Sequence, residues 1–222
     1  RNEMFERAWE KGGLRFRSVF HDLLNSSQAN NTAAEFIKSK IRKIVKNPET
    51  AHTLSDIDHP YAAKRPPIDT NYFETFNKQS VTLVDLKVDP ISEIIPSGVL
   101  LKSGAEHKLD TLVFATGFDA MTGPLLNLDI TGRTEPLTDY WRAGPLSYLG
   151  LAIPNFPNMF TITGPGSPSV LTNMPVSIEQ HVDWITDCIN FCMQNDVETI
   201  EAEVGAAEGW VAHVREAADV TL

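Results

Sequence analysis

The stretch Leu109-Asp-Thr-Leu-Val-Phe-Ala-Thr-Gly-Phe-Asp-Ala120 decides how the rest of the chain is read. Leu112, Val113 and Phe114 form a short apolar run with polar residues on both sides and a glycine closing it. The pattern predicts a buried strand over residues 111–115 that runs into a tight turn. Ala115 and Gly117 are small, so the backbone there is free to approach another chain segment or a cofactor. By itself the pattern suits an ordinary core strand as well as a binding strand.

Upstream of this run, residues 81–86, 91–95 and 99–101 are short and rich in β-formers, and Pro96-Ser-Gly98 predicts a hairpin turn. Residues 49–80 are polar and proline-rich, a loop leading into a short helix or irregular segment around Tyr72, Phe73 and Phe76. Residues 2–24 read as helix in two pieces, interrupted at Gly12-Gly13, with Phe16, Val19, Phe20 and Leu23 resuming the apolar face. Residues 26–31 read as a polar loop. Thr32-Ala-Ala-Glu35 has the capping-box pattern, followed by an apolar stripe at Ile37, Ile41, Ile44 and Val45. Lys38, Lys40, Arg42, Lys43 and Lys46 read as a solvated face of that helix, which Asn47-Pro48 ends.

Downstream, residues 128–130, 146–151 and 159–163 read as short strands. The turn Gly164-Pro-Gly-Ser-Pro168 precedes a long helix over residues 175–194. Its stripe, Ile178, Val182, Ile185, Ile189 and Cys192, is spaced 4, 3, 4 and 3. A last helix covers residues 207–219.

Three segments together carry a resemblance. Asp110-Thr-Leu-Val-Phe-Ala-Thr-Gly-Phe-Asp119 resembles the D-x-hhh-A-T-G-[FY] element of class B flavoprotein monooxygenases. Lys64-Arg-Pro-Pro-Ile-Asp-Thr-Asn-Tyr-Phe-Glu-Thr-Phe-Asn77 and Phe156-Pro-Asn-Met-Phe-Thr-Ile-Thr-Gly-Pro-Gly-Ser-Pro168 narrow it to Baeyer–Villiger monooxygenases of the phenylacetone and cyclohexanone type. The resemblance runs in order along essentially the whole chain. It implies an α/β fold, part of a flavoprotein with two dinucleotide-binding domains and mixed sheets. Residues 1–116 would be the C-terminal part of the NADP-binding domain with its helical subdomain. Residues 117–222 would be the C-terminal part of the FAD-binding domain. It also implies further chain at both ends. No G-x-G-x-x-G occurs here, and Gly164-x-Gly166 has Ser169 where the third glycine belongs. Residues 1–222 alone are therefore expected to hold FAD weakly.

The resemblance implies a cofactor pair, FAD and NADPH, and a reaction that inserts one oxygen atom of O2 next to a ketone carbonyl. Negative charge develops on oxygen throughout, so a fixed cation would stabilise it, and arginine suits that task because it stays protonated when buried. Arg65 matches the family's catalytic arginine. Lys64 matches the residue at the 2′-phosphate of NADPH, where a compact ammonium suits a monoester. Asn173 and Met174, at the start of the long helix, match positions against the FAD, toward which a helix N-terminus turns its free N–H groups. Ser169, Val170 and Leu171 match a substrate-lining bulge. Without the resemblance, a Lys-Arg pair beside prolines would read as a solvated loop, and Met174 as core filling. An N- or S-oxidising class B relative is the alternative activity, and a chain inert by itself is the other.

Composition is that of an ordinary globular protein, 42% hydrophobic and 22% charged. No apolar run reaches the length of a membrane span. Net charge is −10, unevenly spread: residues 1–65 carry 12 Lys and Arg against 8 Asp and Glu, and residues 66–222 carry 7 against 21. That balance disfavours nucleic-acid binding and suits one local anionic ligand. Cys188 and Cys192 share a helix face and read as small buried hydrophobes, with no metal site. Their use suggests a reducing, cytoplasmic setting. His181 reads as a surface partner of Glu179. A monomer acting on a small ketone is expected, without nucleic acid or membrane.

Overall fold

The computed structural model describes residues 1–167 and 173–222. The chain divides into two compact units, Arg1–Thr116 with Leu222, and Gly117–Thr221.

In the first unit, α1 (Asn2–Lys11) stops at Gly12, whose φ of 64° suits glycine and turns the chain out of the helix, while its N–H still donates to the carbonyls of Ala8 and Trp9. The predicted second α-helical piece is instead a 3-10 helix, Gly13–Ser18, followed by turns. Gly13 is also at positive φ, 71°, so the chain leaves helical geometry for two residues. The short turn that follows is enough to bring Phe16 back under α1. Phe5 stacks on Phe16 with centroids 5.0 Å apart and meets Phe20 edge-on at 5.3 Å. Phe5 and Phe16 form one buried cluster with Leu23, Ala33 and Phe36, against which the half-buried Phe20 packs. Burying a side chain the size of Phe5 contributes about 2–3 kcal/mol.

α2 (Ser27–Ile44) begins earlier than the Thr32 capping box predicts. Ser26 is the N-cap, its Oγ accepting from Ala29 N–H at 3.3 Å, while Thr32 lies inside the helix and donates to Ala29 O. The polar run 26–31 is helical because its buried member, Asn30, finds hydrogen-bond partners elsewhere in the unit. Ile41 and Val45 are buried as the stripe predicts. Lys40 is not solvated: it pairs with Glu6 and lies 5.3 Å from the Phe36 ring centre.

Asn47-Pro48 ends α2 and also starts α3 (Pro48–Ser55). Asn47 Oδ1 accepts from Thr50 N–H at 2.9 Å, and the proline occupies the first turn, where its missing N–H costs nothing. α4 (Tyr72–Thr75) is the expected short helix. Strands β1 (Ile91–Ile95), β2 (Gly98–Leu101) and β3 (Glu106–Lys108) make an antiparallel sheet in that order. The β1–β2 hairpin turns at Pro96-Ser97, with Ile95 paired to Gly98. Residues 81–86 form no strand.

The run at 111–115 is also not a strand, and Val113 and Phe114 are 78% and 70% exposed. A strand needs a neighbour to complete its ladder, and none of the three strands of this sheet pairs with it. Its apolar character is therefore not expressed as burial within either unit.

In the second unit, α5 (Gly123–Leu126) and α6 (Leu137–Tyr140) flank a core of Leu137, Trp141, Ile153 and Phe156. The strands expected at 128–130, 146–151 and 159–163 are replaced by turns and isolated bridges, Thr131 with Pro136, Tyr148 with Ala152, and Ala152 with Phe160. Left-handed residues inside these segments (Leu149 and Thr163) and between them (Asn155 and Asn158), with the flanking Pro145, Pro154 and Pro157, keep ladders from propagating. The two long helices are as expected: α7 (Met174–Gln194) and α8 (Val204–Asp219). The apolar stripe of α7 is only partly covered, with Val182 and Ile189 exposed.

Glu201 ties the connection between α7 and α8 to the rest of this unit. It accepts from Arg133 Nε at 2.9 Å and from Asn155 N–H at 2.6 Å, and Arg133 above all holds its carboxyl below the ordinary 4.5. A lowered folded-state pKa stabilises the fold above the unfolded value and loses that contribution as pH falls through the folded one. Glu201→Gln is expected to lower the thermal midpoint at neutral pH and to flatten the midpoint's fall below about pH 4.5. Parallel pH-melting curves of wild type and variant test this; parallel slopes in acid would reject it.

Candidate active-site elements

Lys64 and Arg65 follow α3 on a loop of the first unit, and both are exposed at the rim of one cavity of about 590 Å³. Its wall is mostly apolar, with Trp9 from α1, Phe16 from the 3-10 helix and Ile41 from α2. Tyr61 also lines it and meets the Phe16 ring edge-on at 5.5 Å. Burial pushes the Tyr61 hydroxyl up to about 12, partly opposed by Arg17, so this group stays protonated in any ordinary buffer. Two adjacent cations above an apolar wall fit a ligand that joins a phosphate to a flat ring.

The loop is fastened to α2 at both ends. Before the cations, Asn30 bonds the backbone of Tyr61; after them, Asn77 donates to Ile44 O at 2.8 Å and accepts from Lys46 N–H at 2.8 Å. Between these points Phe73 and Phe76 pack against Ile41, Val45 and Ala51. Asn71, at φ 59°, starts α4 from the left-handed region, and Tyr72 N–H donates to Asp69 Oδ1.

In the second unit, Asn173 is the N-cap of α7 in extended backbone, φ −73° and ψ 107°, and Met174 is the first helical residue, half-buried. The Asn173 side chain makes no capping bond, and Pro175 removes one of the first-turn donors. Ser169, Val170 and Leu171 lie outside the described residues.

The turn that leads toward them is held residue by residue. Gly164 N–H donates to Gly150 O at 3.1 Å, and Ser147 Oγ donates to Pro165 O at 2.6 Å. Trp210 Nε1 donates to Gly166 O at 3.0 Å, and Ser167 Oγ lies 3.0 Å from His181 Nε2. Gly150 must be glycine: its φ is +67°, and a Cβ there would lie 2.2 Å from Ser167 Cβ.

His181 is therefore not the surface partner of Glu179. Its Nδ1 accepts from Thr163 N–H at 3.0 Å, which leaves Nε2 as the protonated nitrogen, donating to Ser167 Oγ. One imidazole so joins α7 to both ends of the 163–167 turn. Sequence reasoning missed Asn30, Ser147 and His181 as anchors. Only the i-to-i+3 spacing of His181 from Ile178 gave a hint, since it sets the histidine beside the apolar stripe.

Cys188 and Cys192 are half-buried free thiols; burial pushes the Cys188 thiol up, helped by the neighbouring Cys192 sulfur. That is the behaviour of small packing residues, as expected. Among the described residues no three His, Cys, Asp or Glu side chains gather as a metal site, and no helix is long and apolar enough to cross a membrane.

No family model matches the chain. Individual relatives do. A Baeyer–Villiger monooxygenase of Pseudooceanicola batsensis is 45% identical over 225 residues, covering 100% of this chain and 41% of that protein. Cyclohexanone 1,2-monooxygenase of Acinetobacter sp and phenazine N-monooxygenase PhzNO1 of Lysobacter antibioticus are each 44% identical, with the same coverages. Among solved structures, oxidized steroid monooxygenase bound to NADP superposes with a TM-score of 0.91 at 44% identity, covering 100% of this chain and 42% of that one. A complex of OTEMO with FAD and NADP gives 0.93 at 37% identity, covering 100% and 41%. The α/β architecture is thus that of a two-domain flavoprotein, and the chain spans about two fifths of the length of the relatives it matches. Matched from end to end in sequence and fold, the chain is similar over its whole length to about two fifths of Baeyer–Villiger and cyclohexanone monooxygenases.

Proposed function

We propose that this chain supplies the cationic loop and the α7 start of a monooxygenase that uses NADPH, FAD and O2 to insert one oxygen atom beside a ketone carbonyl, giving an ester or lactone. The observation that carries the reading is the Lys64–Arg65 pair at the rim of the apolar cavity. That donor set fits NADPH: Lys64 holds the 2′-phosphate, and the apolar wall takes ring surface. When bound, FAD and NADPH supply the redox chemistry. Arg65 contributes a permanent positive charge where negative charge grows on oxygen. Asn173 and Met174 bear on the flavin at the positive end of α7. Ser169, Val170 and Leu171 line the ketone. Residues 1–116 then belong to the NADP-binding domain and residues 117–222 to the FAD-binding domain, in a cytoplasmic, monomeric enzyme. The free thiols are consistent with that reducing compartment.

A second reading, oxidation at nitrogen, is favoured by the 44% identity to phenazine N-monooxygenase. One experiment separates the two. The full-length enzyme is supplied with NADPH, O2 and either a cyclic ketone or a phenazine. Lactone from the ketone supports oxygen insertion beside a carbonyl. N-oxide from the phenazine with the ketone untouched selects the second reading.

A further inference from the structure

We infer that Asn30 is the positioning residue of the Lys64–Arg65 loop. The inference rests on the reading of those two cations given above. Asn30 lies in the first turn of α2 and is 2% exposed. Its Nδ2 donates to Leu23 O at 2.8 Å and to Tyr61 O at 2.9 Å, while its Oδ1 accepts from Tyr61 N–H at 2.8 Å. Both amide hydrogens and the carbonyl oxygen are used. The reversed amide would set an NH2 against an N–H and an oxygen against two carbonyls, so only one orientation works.

The side chain thus treats Tyr61 as a neighbouring strand would, holding both its N–H and its C=O. Tyr61 stands three residues before Lys64. The next residue, Ala62, is held at φ 69°, in the left-handed region that alanine seldom occupies. A fixed residue followed by a constrained one sets the direction in which the loop departs. A buried amide inside a helix carries a desolvation cost, offset here by its bonds to the backbone of Leu23 and Tyr61. What it adds is a fixed position for the backbone three residues from the cations. A displacement of about 1 Å at groups of this kind is enough to change binding and rate by large factors.

Asn30→Ala in the full-length enzyme tests the inference, with Asn158→Ala as a control. Asn158 is the same kind of pin in the second unit: it donates to Glu198 O and accepts from Ile200 N–H. Three quantities are compared: thermal midpoint, hydrogen exchange of residues 57–68, and the calorimetric dissociation constant of NADP+. Asn30→Ala is expected to speed exchange across 57–68 and to weaken NADP+ by about 10-fold. Asn158→Ala is expected to lower the midpoint without either effect. If Asn30→Ala lowers only the midpoint, leaving exchange and NADP+ affinity as in wild type, Asn30 is merely structural and the inference is overturned. Should Asn30→Ala fail to fold, Asn30→Asp keeps the volume and the acceptor for Tyr61 N–H, removes both donors, and carries the same expectations. Lys64→Ala, measured alongside, separates the two claims. If it leaves NADP+ affinity unchanged, the reading of the loop fails, and the pin is judged by exchange alone.

Discussion

The full-length enzyme with Arg65→Ala is expected to form ester about 100-fold or more slowly than wild type, while hydride transfer from NADPH survives far better. The difference follows from where charge grows. Oxygen activation and attack on a carbonyl both concentrate negative charge on oxygen, and a fixed donor aimed there is worth roughly 3 kcal/mol, as with loss of an oxyanion-hole donor. Hydride delivery places less charge at that point. Arg65 is exposed at the cavity rim, and bound cofactor and ketone would exclude water around it, where a charge is screened less than in open water. Arg65→Lys keeps the charge but replaces the planar fork with a more strongly hydrated point charge, so it should recover only a small part of the loss. Single-turnover traces followed at the flavin, with ester measured in the same samples, check both statements. Equal slowing of reduction and ester formation would mean Arg65 holds the loop together and does not act on the reacting oxygens.

Lys64→Ala should separate the two nicotinamide cofactors. A charge-assisted contact to phosphate is worth about 1.5–3 kcal/mol. Lys64 is exposed, which places the effect toward the lower end, about 10-fold in NADPH affinity. NADH has no 2′-phosphate and should bind the variant as it binds wild type. If Lys64 holds the 2′-phosphate, wild type should prefer NADPH to NADH, and that preference should shrink as salt rises, because an exposed ion pair is screened within about 10 Å at 0.1 M. Dissociation constants for both cofactors at two salt concentrations check this, and an equal loss for NADH and NADPH would remove Lys64 from the phosphate.

Features set by local rules were legible in the sequence. The stripe Ile178, Val182, Ile185, Ile189 and Cys192 gave α7, because a helical period survives wherever the helix packs. The Pro96-Ser-Gly98 turn gave the β1–β2 hairpin, because a two-residue connection fixes its own register. Features set by partners distant in the chain were not. Thr32 looked like a helix start, yet Ser26 is the cap, and Asn30, inside the helix, is polar because it bonds the backbone of Leu23 and Tyr61. The run at 111–115 has strand composition but pairs with none of the sheet's strands, and composition cannot show whether a ladder partner exists. For the proposed site, Lys64 and Arg65 are singled out only by resemblance to a family, not by a pattern of their own. What holds them, one amide 31 residues before Tyr61, carries no sequence signal distinct from its neighbour Asn31.

The central claim is that Arg65 couples NADPH oxidation to oxygen insertion, and the yield per cofactor tests it most directly. Ester and hydrogen peroxide are measured per NADPH consumed, in wild type and Arg65→Ala of the full-length enzyme, with saturating ketone and NADPH. The account predicts near-stoichiometric ester in wild type, and in the variant little ester with most of the NADPH recovered as hydrogen peroxide. Ester per NADPH unchanged from wild type in Arg65→Ala would contradict it.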